Sequence, residues 1–367
     1  MFSPIMIIIA ILSLAYVGYL FFESIYHKRL RKKLKLVVHV NGTRGKSTTT
    51  RLIAAGLREC GYKVFCKSTG TIPMTIGVDN VQKKINRLGP ANIREQLKIL
   101  RMAVKDGADA LVIECMAVNP ELQYITEHKI LNSDISVITN VRADHLDVMG
   151  TTLESVALAL ANTTPSGGTL ILGEDKFTEI FKKCAQKANA KLVIAKPYDG
   201  DKLDTFSENI GLSLEVCDQL NLDRTAFFEG LKNYKRDPGA LKTTKKGDTT
   251  FINAFSVNDP ESTLKVYEEV TKDIDQKTVA VVINTRQDRA FRIDQHVKML
   301  DQMTFNKVIL VGSFQQVIAK RLEKQNIPCV ILKDIKDLLS EQVIFGCGNI
   351  KGDGMRIINF FEEGDNL

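Results

Sequence analysis

Short apolar runs alternate with amphipathic segments along most of the chain. The apolar runs, bounded by glycine and polar residues, predict buried strands at 36–40, 63–66, 110–114, 135–139, 169–172 and 192–195. Segments with helical periodicity predict helices at 48–60, 92–106 and 176–188. Strands that alternate with helices in this way indicate an α/β fold built on a mostly parallel sheet.

The alternation restarts beyond a predicted turn at Asp237-Pro238-Gly239. Strands are predicted at 249–254, 278–283, 307–311, 328–332 and 343–346, with helices at 260–272, 293–302, 314–324 and 355–363. This pattern favours a smaller, Rossmann-like α/β domain. Two domains joined at one hinge predict a cleft that closes over a substrate.

The N-terminal segment differs from the rest, because residues 5–22 contain no charged side chain. At about 1.5 Å per helical residue, this run nearly spans a hydrocarbon layer about 30 Å thick. Basic residues follow the run, whereas a signal peptide carries its positive charge before it and a cleavage site after it. The positive-inside rule therefore predicts a single-pass cell-membrane protein with its catalytic domains in the cytoplasm.

Composition and charge support a membrane-facing protein more than a nucleic-acid-binding one. The net charge is +7, but six positive charges lie within 28–35, so the remaining chain is almost neutral and we expect no nucleic-acid partner. The seven cysteines are scattered without a CxxC pair, which argues against a zinc site or a disulfide framework. Reduced thiols are typical of a cytoplasmic domain.

A glycine-rich loop between the first strand and its helix carries the clearest chemistry. Gly42-Thr43-Arg44-Gly45-Lys46-Ser47 matches a shortened phosphate loop. Its glycines let backbone N–H groups approach phosphate oxygens, and the helix N-terminus adds partial positive charge. Lys46 can reach the outer phosphates of ATP, and the Ser47 hydroxyl can bind Mg²⁺.

Two further strands end in polar side chains that could complete this site. A phosphate loop needs an acidic metal ligand at the end of a neighbouring strand, and Glu114 stands at such an end. The strand at 135–139 leads into a polar run that contains Asn140 and His145. Ligands bind at the carboxyl ends of strands in open α/β sheets, so His145 is a candidate ligand for metal or phosphate.

Together, GTRGKS at 42–47, Glu114 and TNVRADHLDVMG at 139–150 resemble the Mur ligase superfamily of ATP-dependent amide ligases. The segment INAFSVNDPES at 252–262 and the Asn284-x-Arg286-x-Asp288 pattern are similar to looser motifs of its C-terminal domain. The resemblance implies an ATP-binding central domain followed by a C-terminal domain.

Some features depart from the murein-building members of that superfamily. Only the apolar segment and a basic stretch precede the loop, without a domain for a UDP-linked substrate. Many members also carry a carbamylated lysine that holds a second metal, whereas the corresponding region, 155–161, has no lysine. The family's histidine in the C-terminal segment is Asn258 here, and its hinge arginine is Ala240.

These departures are typical of one branch, the catalytic subunits of poly-γ-glutamate synthase (the PgsB/CapB family). The chain is similar to them in its N-terminal anchor and in the runs KSTGT at 67–71 and NAFSVNDPEST at 253–263. We therefore expect a transmembrane anchor at 1–24, a basic cytoplasmic linker at 25–35, a Mur ligase-like ATP-binding domain at 36–238 and a C-terminal α/β domain at 239–367.

The resemblance also implies roles for individual residues. Lys46, Glu114 and His145 are the expected catalytic residues, and Ser47, Glu114 and His145 the expected ligands for Mg²⁺, with Mn²⁺ as an alternative metal. The expected nucleotide contacts are Asn41, Gly42, Thr43, Arg44, Gly45, Lys46, Ser47, Thr48, Asn140, Arg286 and Asp288.

The activity implied is γ-linked polymerisation of glutamate through an acyl phosphate. The expected partners are glutamate, the growing poly-γ-glutamate chain, the membrane and other integral-membrane subunits. The sequence leaves open whether the protein forms a homo-oligomer. Two alternatives remain: a folylpolyglutamate synthase-like ligase, which forms the same linkage, and a membrane-tethered P-loop ATPase for capsule export.

Overall fold

The computed structural model of the protein describes residues 4–70, 72–87, 89–200, 205–237, 239–257, 259–287 and 292–362. The chain divides into two compact units, Met1–Lys235 and Arg236–Leu367. The division falls just before the turn predicted at Asp237-Pro238-Gly239, of which Pro238 lies outside the described residues.

The first unit contains an eight-stranded sheet among the described residues, in the order β4-β3-β2-β5-β1-β6-β7-β8. Its strands are β1 (Leu36–Asn41), β2 (Val64–Ser68), β3 (Met74–Ile76), β4 (Gln82–Lys84), β5 (Ala110–Glu114), β6 (Ile135–Ile138), β7 (Thr169–Leu172) and β8 (Lys191–Ile194). The central strands β1, β5 and β6 are buried along their whole length, as their continuous apolar sequences predict.

The α-helices of this unit are α1 (Pro4–Arg31), α2 (Lys46–Glu59), α3 (Arg94–Lys105), α4 (Pro120–Ile125), α5 (Leu146–Met149), α6 (Leu153–Leu160), α7 (Thr178–Ala188), α8 (Ser207–Gln219) and α9 (Arg224–Lys232). Helices after α1 cover both faces of the sheet. The helix α2 packs with α8 and α9 over one face, where Leu52, Leu57 and Phe227 are fully buried. The helix α3 covers the other face with Ile99, Leu100 and Ala103.

The prediction of a mostly parallel α/β sheet is confirmed, with additions at one edge. The six strands β2, β5, β1, β6, β7 and β8, in their order across the sheet, pair in parallel. At the edge beyond β2, β3 pairs antiparallel with β2, and β4 pairs antiparallel with β3. These two short strands, and the helices α8 and α9, were absent from the sequence-based prediction.

The helix α1 is long and apolar enough to cross a membrane, by length and composition alone. It continues as one helix to Arg31, so most of the basic linker predicted at 25–35 is helical. Leu30 and Leu34 attach this segment to the first unit, because both are buried in the apolar cluster beneath α3. The Arg31 guanidinium reinforces the contact by donating to the carbonyl of Leu131 at 2.7 Å and to Oδ2 of Asp134 at 2.7 Å.

The second unit contains a six-stranded sheet among the described residues, in the order β13-β12-β11-β14-β10-β9. Its elements are β9 (Lys242–Lys246), β10 (Thr249–Asn253), α10 (Pro260–Val270), β11 (Val279–Thr285), α11 (Arg292–Leu300), β12 (Lys307–Gly312), α12 (Gln315–Lys324), β13 (Cys329–Ile331), β14 (Val343–Gly348) and α13 (Asp353–Glu362). The five strands β10 to β14 pair in parallel, as predicted, and the unpredicted β9 pairs antiparallel with β10.

Phe227 should contribute strongly to the stability of the first unit, because its ring packs directly on the backbone of α2. A Cβ added at Gly56 would lie 2.4 Å from this ring. We expect Phe227→Ala to lower the free energy of unfolding by about 3–5 kcal/mol. Denaturant unfolding of the detergent-solubilised chain measures this loss. Phe228→Ala, at the partly buried neighbour, is the matched control, and equal losses in the two variants would contradict the assignment.

Candidate functional site

The phosphate loop joins the central strand β1 to the N-terminus of α2. Gly42 and Gly45 have φ angles of 125° and 79°, in the region that favours glycine. A Cβ at Gly42 would lie 2.1 Å from Oγ1 of Thr139 and 2.8 Å from its backbone nitrogen. The loop therefore passes so close to the end of β6 that a side chain at Gly42 would displace one of them.

Asn140 braces this loop from the end of β6. Its Oδ1 accepts hydrogen bonds from Oγ1 of Thr43 at 2.7 Å and from the backbone N–H of Arg44 at 3.0 Å. Its Nδ2 donates to the Arg44 carbonyl at 3.2 Å. We expected Asn140 to contact the nucleotide, and in the structure its amide group holds the loop that would do so.

Lys46, the first residue of α2, folds back over the same loop. Its Nζ donates to the carbonyls of Gly42 at 2.7 Å and of Thr43 at 3.2 Å. Burial lowers the pKa of Lys46, and the nearby Glu114 carboxylate opposes this shift. The ammonium thus lies where the loop would hold phosphate oxygens.

Ser47 and Glu114, two of the predicted metal ligands, are in direct contact. The Ser47 hydroxyl donates to Oε2 of Glu114 at 2.8 Å, and the backbone N–H of Thr69 donates to the same oxygen at 2.5 Å. The parallel pairing of β1 with β5 brings Glu114 opposite Val40, one residue before the strand ends. Two hard oxygen donors converge here, which is the chemistry that Mg²⁺ and Mn²⁺ prefer.

His145 lies apart from that pair, on the turn before α5. Its φ is 49°, its side chain is 44% exposed, and its Nε2 is 3.9 Å from Oδ2 of Asp144. Asp144 in turn lies 3.4 Å from Nη2 of Arg44, which ties this turn to the phosphate loop. Across the described ranges, no group of three or more His, Cys, Asp or Glu side chains is arranged to hold a metal ion. Metal binding by His145 stays a prediction.

The remaining predicted contacts fall in different environments. Asn41 is buried, and its Nδ2 donates to Oε1 of Gln123 at 2.8 Å, so its side chain supports the loop from below. Thr48 is half-buried in the first turn of α2. Arg286 is half-buried in the second unit, directly after β11. Asp288 lies outside the described residues, as do Asn258 and Thr71.

A buried ionic cluster next to Glu114 was absent from the sequence-based prediction. The Lys67 ammonium, with its side chain fully buried, is 3.2 Å from Oε1 of Glu95. Arg87 donates to both oxygens of Glu95, at 2.7 and 3.0 Å. Burial lowers the pKa of Lys67, and the carboxylates of Glu95 and Glu114 oppose that shift. Lys67 is the first residue of the KSTGT run at 67–71, which resembles the family's sequence. That resemblance was the one sequence signal that pointed to Lys67.

A second buried pair was also missed. Nδ1 of His39, on β1, is 2.7 Å from Oε2 of Glu127, and both side chains are fully buried. The backbone N–H and hydroxyl of Ser133 donate to the other Glu127 oxygen at 2.8 and 2.9 Å. Burial opposes the protonated form, but the Cys115 and Glu127 side chains outweigh it and raise the pKa of His39 to about 9.

Comparison with known families gives two matches, and the structural division after Lys235 falls in the interval between them. Residues 40–224 match the Mur ligase middle domain family, and residues 240–364 match the poly-gamma-glutamate synthase CapB C-terminal domain family.

Similar proteins cover nearly the whole chain. This chain is 35% identical to PGA synthase CapB of Bacillus subtilis (strain 168), over 98% of both proteins. It is 33% identical to the capsule biosynthesis protein CapB of Bacillus anthracis, over 97% of this chain and 82% of that protein.

Solved structures share the fold at lower identity. E. coli FolC in complex with ADP aligns with a TM-score of 0.71 and 17% identity, over 93% of both chains. The folylpolyglutamate synthase of Thermotoga maritima aligns with a TM-score of 0.66 and 16% identity, over 97% of this chain and 98% of that one. The predicted fold class is therefore confirmed.

The close approach of Gly42 to Thr139 predicts that Gly42→Ala distorts the phosphate loop. A displacement of about 1 Å can cost about 100-fold in function, and we expect a comparable loss of ADP affinity, measured by calorimetry. Gly61→Ala is the matched control, because Gly61 also has a positive φ of 86° but open space where a Cβ would lie. Similar ADP affinities in the two variants would show that the loop tolerates the added carbon.

The His39–Glu127 pair predicts a pH-dependent component of stability. Because the folded-state pKa of His39, about 9, lies above the ordinary histidine value of 6.5, the contribution is complete below pH 6.5 and disappears as pH rises to about 9. Its size is roughly 3 kcal/mol. Unfolding free energies measured across this range should show a smaller component in Glu127→Gln, where the interaction with Cys115 remains, and an unchanged one in His128→Gln, at a partly exposed histidine. An unchanged slope in Glu127→Gln would contradict the assignment.

Proposed function

Since the chain belongs to the CapB family of poly-γ-glutamate synthases and carries a Mur ligase middle domain, we propose that its phosphate loop drives glutamate polymerisation. The protein is an ATP-dependent ligase that forms poly-γ-glutamate. The observation that carries the proposed site is the convergence of Lys46, Ser47 and Glu114 at one end of the central strands.

The chemistry follows from the poor reactivity of a carboxylate toward an amine. Transfer of the ATP γ-phosphoryl group to the terminal γ-carboxylate of the growing poly-γ-glutamate forms an acyl phosphate and releases ADP. The amine of the next glutamate then attacks the carbonyl carbon, phosphate leaves with the C–O bonding pair, and the nitrogen loses a proton to form the amide. The residues of the site supply position and charge for these steps.

The phosphate loop serves the first step. We assign phosphate binding to the backbone N–H groups between Gly42 and Ser47, and the positive end of α2 adds to their attraction. The Lys46 side chain is flexible and now binds the loop carbonyls, so in this proposal its ammonium moves from them to the outer phosphates when ATP binds. Asn140 supports the proposal by fixing the loop through three hydrogen bonds.

Ser47 and Glu114 are the proposed ligands for Mg²⁺, with Mn²⁺ as an alternative. Their contact at 2.8 Å and the burial of Glu114 supply a preformed pair of oxygen donors. A bound divalent cation would neutralise charge on the phosphates during transfer. His145 is proposed to act on the acyl phosphate or as a further ligand, since its turn is linked to the loop through Asp144 and Arg44. Arg286 and Asp288 are proposed nucleotide contacts from the second unit.

We further propose that α1 anchors the enzyme in the cell membrane, with both units in the cytoplasm. The uncharged run at 5–22 and the basic residues that follow it support this orientation. A single helix provides no path for a polyanion, so other integral-membrane subunits are proposed to export the product. Homo-oligomerisation is compatible with this arrangement and is not required by it.

The alternatives receive less support. The folylpolyglutamate synthase-like structures share the fold at 16–17% identity, whereas the CapB relatives are 33–35% identical over nearly the full chain. A membrane-tethered ATPase for capsule export would release phosphate without glutamate. Dependence of phosphate release on free glutamate separates that alternative from the ligase.

Loss of Lys46 should abolish the reaction that the loop supports. We expect Lys46→Ala to lower glutamate-dependent phosphate release at least about 100-fold, because it removes a charged donor aimed at the phosphates. Membranes supplied with ATP, Mg²⁺ and labelled glutamate provide the assay, and γ-specific hydrolysis identifies the polymer. Lys63→Ala, at an exposed lysine of the same unit, should retain activity. Undiminished polymer synthesis by Lys46→Ala would refute the role of the loop.

A further inference from the structure

The outer face of α3 carries four basic residues at helical spacing: Arg94, Lys98, Arg101 and Lys105, called here the basic face. All four are exposed, while the opposite side of the helix is buried through Ile99, Leu100 and Ala103. The basic face contributes nothing to the phosphate loop. It is therefore a cationic surface that the proposed ligase chemistry does not explain.

The end of α1 fixes the location of this surface. Glu23 is the first charged residue after the apolar run, and both Arg94 and Arg101 reach its carboxylate. Nη2 of Arg94 lies 3.1 Å, and Nη2 of Arg101 3.5 Å, from Oε1 of Glu23. Arg101 also lies over the ring of Tyr26, 5.6 Å from its centroid.

These contacts set the depth of the basic face in a bilayer. Residues 5–22 are long enough, at about 1.5 Å each, to fill most of a hydrocarbon layer about 30 Å thick. Glu23 then lies within the first few ångströms beyond that layer. Because the headgroup region is about 5–8 Å thick on each side, the guanidinium groups paired with Glu23 lie at headgroup depth.

The charge at this depth, and in the solution layer next to it, is strongly positive. Lys33, just past the end of α1, and Lys105, the last residue of α3, lie about 15 Å further along than Glu23 and Arg94, which leaves them within about one Debye length of the headgroups. One carboxylate, Glu23, faces the two arginines, while Lys98 and Lys105 are paired with no carboxylate of the described residues. The exposed Lys28, Arg29, Lys32 and Lys33 extend the positive charge along the end of α1, again without an acidic partner in the described part of the chain. Such a surface attracts anionic lipid headgroups, at about 1 kcal/mol per cation.

We propose that the basic face of α3, together with the basic end of α1, binds the anionic phospholipid headgroups of the cytoplasmic leaflet. The inference rests on the membrane anchoring proposed above. Lipid binding at both α1 and α3 would attach the first unit to the bilayer at two points. The unit would then have a fixed orientation toward the membrane, which attachment through α1 alone does not impose.

The orientation has a consequence for the site, because the first turn of α3 also reaches Glu114. Arg94 binds Glu23 of the anchor, Glu95 binds Lys67, and Nε2 of Gln96 donates to the carbonyl of Glu114 at 3.3 Å. Three consecutive residues thus connect the anchor to the proposed metal site. Lipid binding by the basic face therefore holds the Glu114 end of the sheet beside the membrane surface.

Lysine acetylation of the full chain in proteoliposomes tests the proposal. The chain is reconstituted in vesicles of phosphatidylcholine alone and of phosphatidylcholine with phosphatidylglycerol, and acetylation rates are measured by mass spectrometry. We expect Lys98 and Lys105 to react about fivefold more slowly in the anionic vesicles, the factor that about 1 kcal/mol per cation represents. About 1 M salt should remove the difference, because it shortens the Debye length to about 3 Å.

Lys183 and Lys187 of α7 are the matched controls, since they are exposed on a helix near the opposite edge of the same sheet. Their rates should be equal in both vesicles. Equal rates for Lys98 and Lys105 in the two vesicles, or equal protection of the α7 lysines, would overturn the proposal. Protection in neutral vesicles by added poly-γ-glutamate, without protection by anionic lipid, would also overturn it and identify the polymer as the ligand.

Two further measurements, flotation of the chain with the vesicles and glutamate-dependent phosphate release, distinguish a failure of the lipid-binding proposal from a failure of the proposed anchoring or ligase function. If the chain does not float with vesicles, the anchoring and the lipid surface are both refuted, while glutamate-dependent phosphate release still reports on the ligase. If the chain floats and is active but Lys98 and Lys105 are not protected, the lipid surface alone is refuted.

Discussion

The parallel pairing of β1 between β5 and β6 is the constraint on which the site depends. It aligns Val40 with Glu114 on one side and Asn41 with Ile138 on the other. The carboxyl ends of three strands therefore meet at one edge, where the chain after β1 must turn into α2. Because Gly42 has no side chain, the loop can pass against Thr139, and Asn140 and Glu114 come to opposite sides of it.

Two buried ion pairs lie near this edge. His39 pairs with Glu127 below the loop, and Lys67 pairs with Glu95 beside Glu114. An uncompensated buried charge would cost several kcal/mol, so these pairs constrain the neighbouring elements to one arrangement. His39 ties β1 to the helical segment Thr126–Leu131, which follows α4, and Lys67 ties β2 to α3. The pairs therefore hold in place the strands that carry the loop and Glu114.

The helix α3 links this arrangement to the N-terminal helix. Its buried side packs on the sheet, its first turn hydrogen-bonds to the end of β5, and its outer side binds Glu23 of α1. The buried Leu30 and Leu34 extend the same contact to the end of α1. The apolar helix is thus continuous with the folded first unit, and this continuity would give the ligase a defined face toward the bilayer under the proposed anchoring.

Local sequence was sufficient for the parallel strands, for the glycine-rich loop and for the apolar segment, because each depends on residues close together in the chain. The sequence also predicted Ser47 and Glu114 as ligands of one metal ion, and the structure brings the two side chains into contact because adjacent parallel strands end at a common edge. Tertiary structure alone decided the features that join distant segments: the Lys67–Glu95 and His39–Glu127 pairs, the brace of Asn140 on the loop and the docking of α1 on α3. It also decided the antiparallel edge strands, since pairing depends on which neighbour is available. The glycine-rich loop was thus specified by its own residues, whereas its shape and the charges around it were set by strands and helices up to about a hundred positions away.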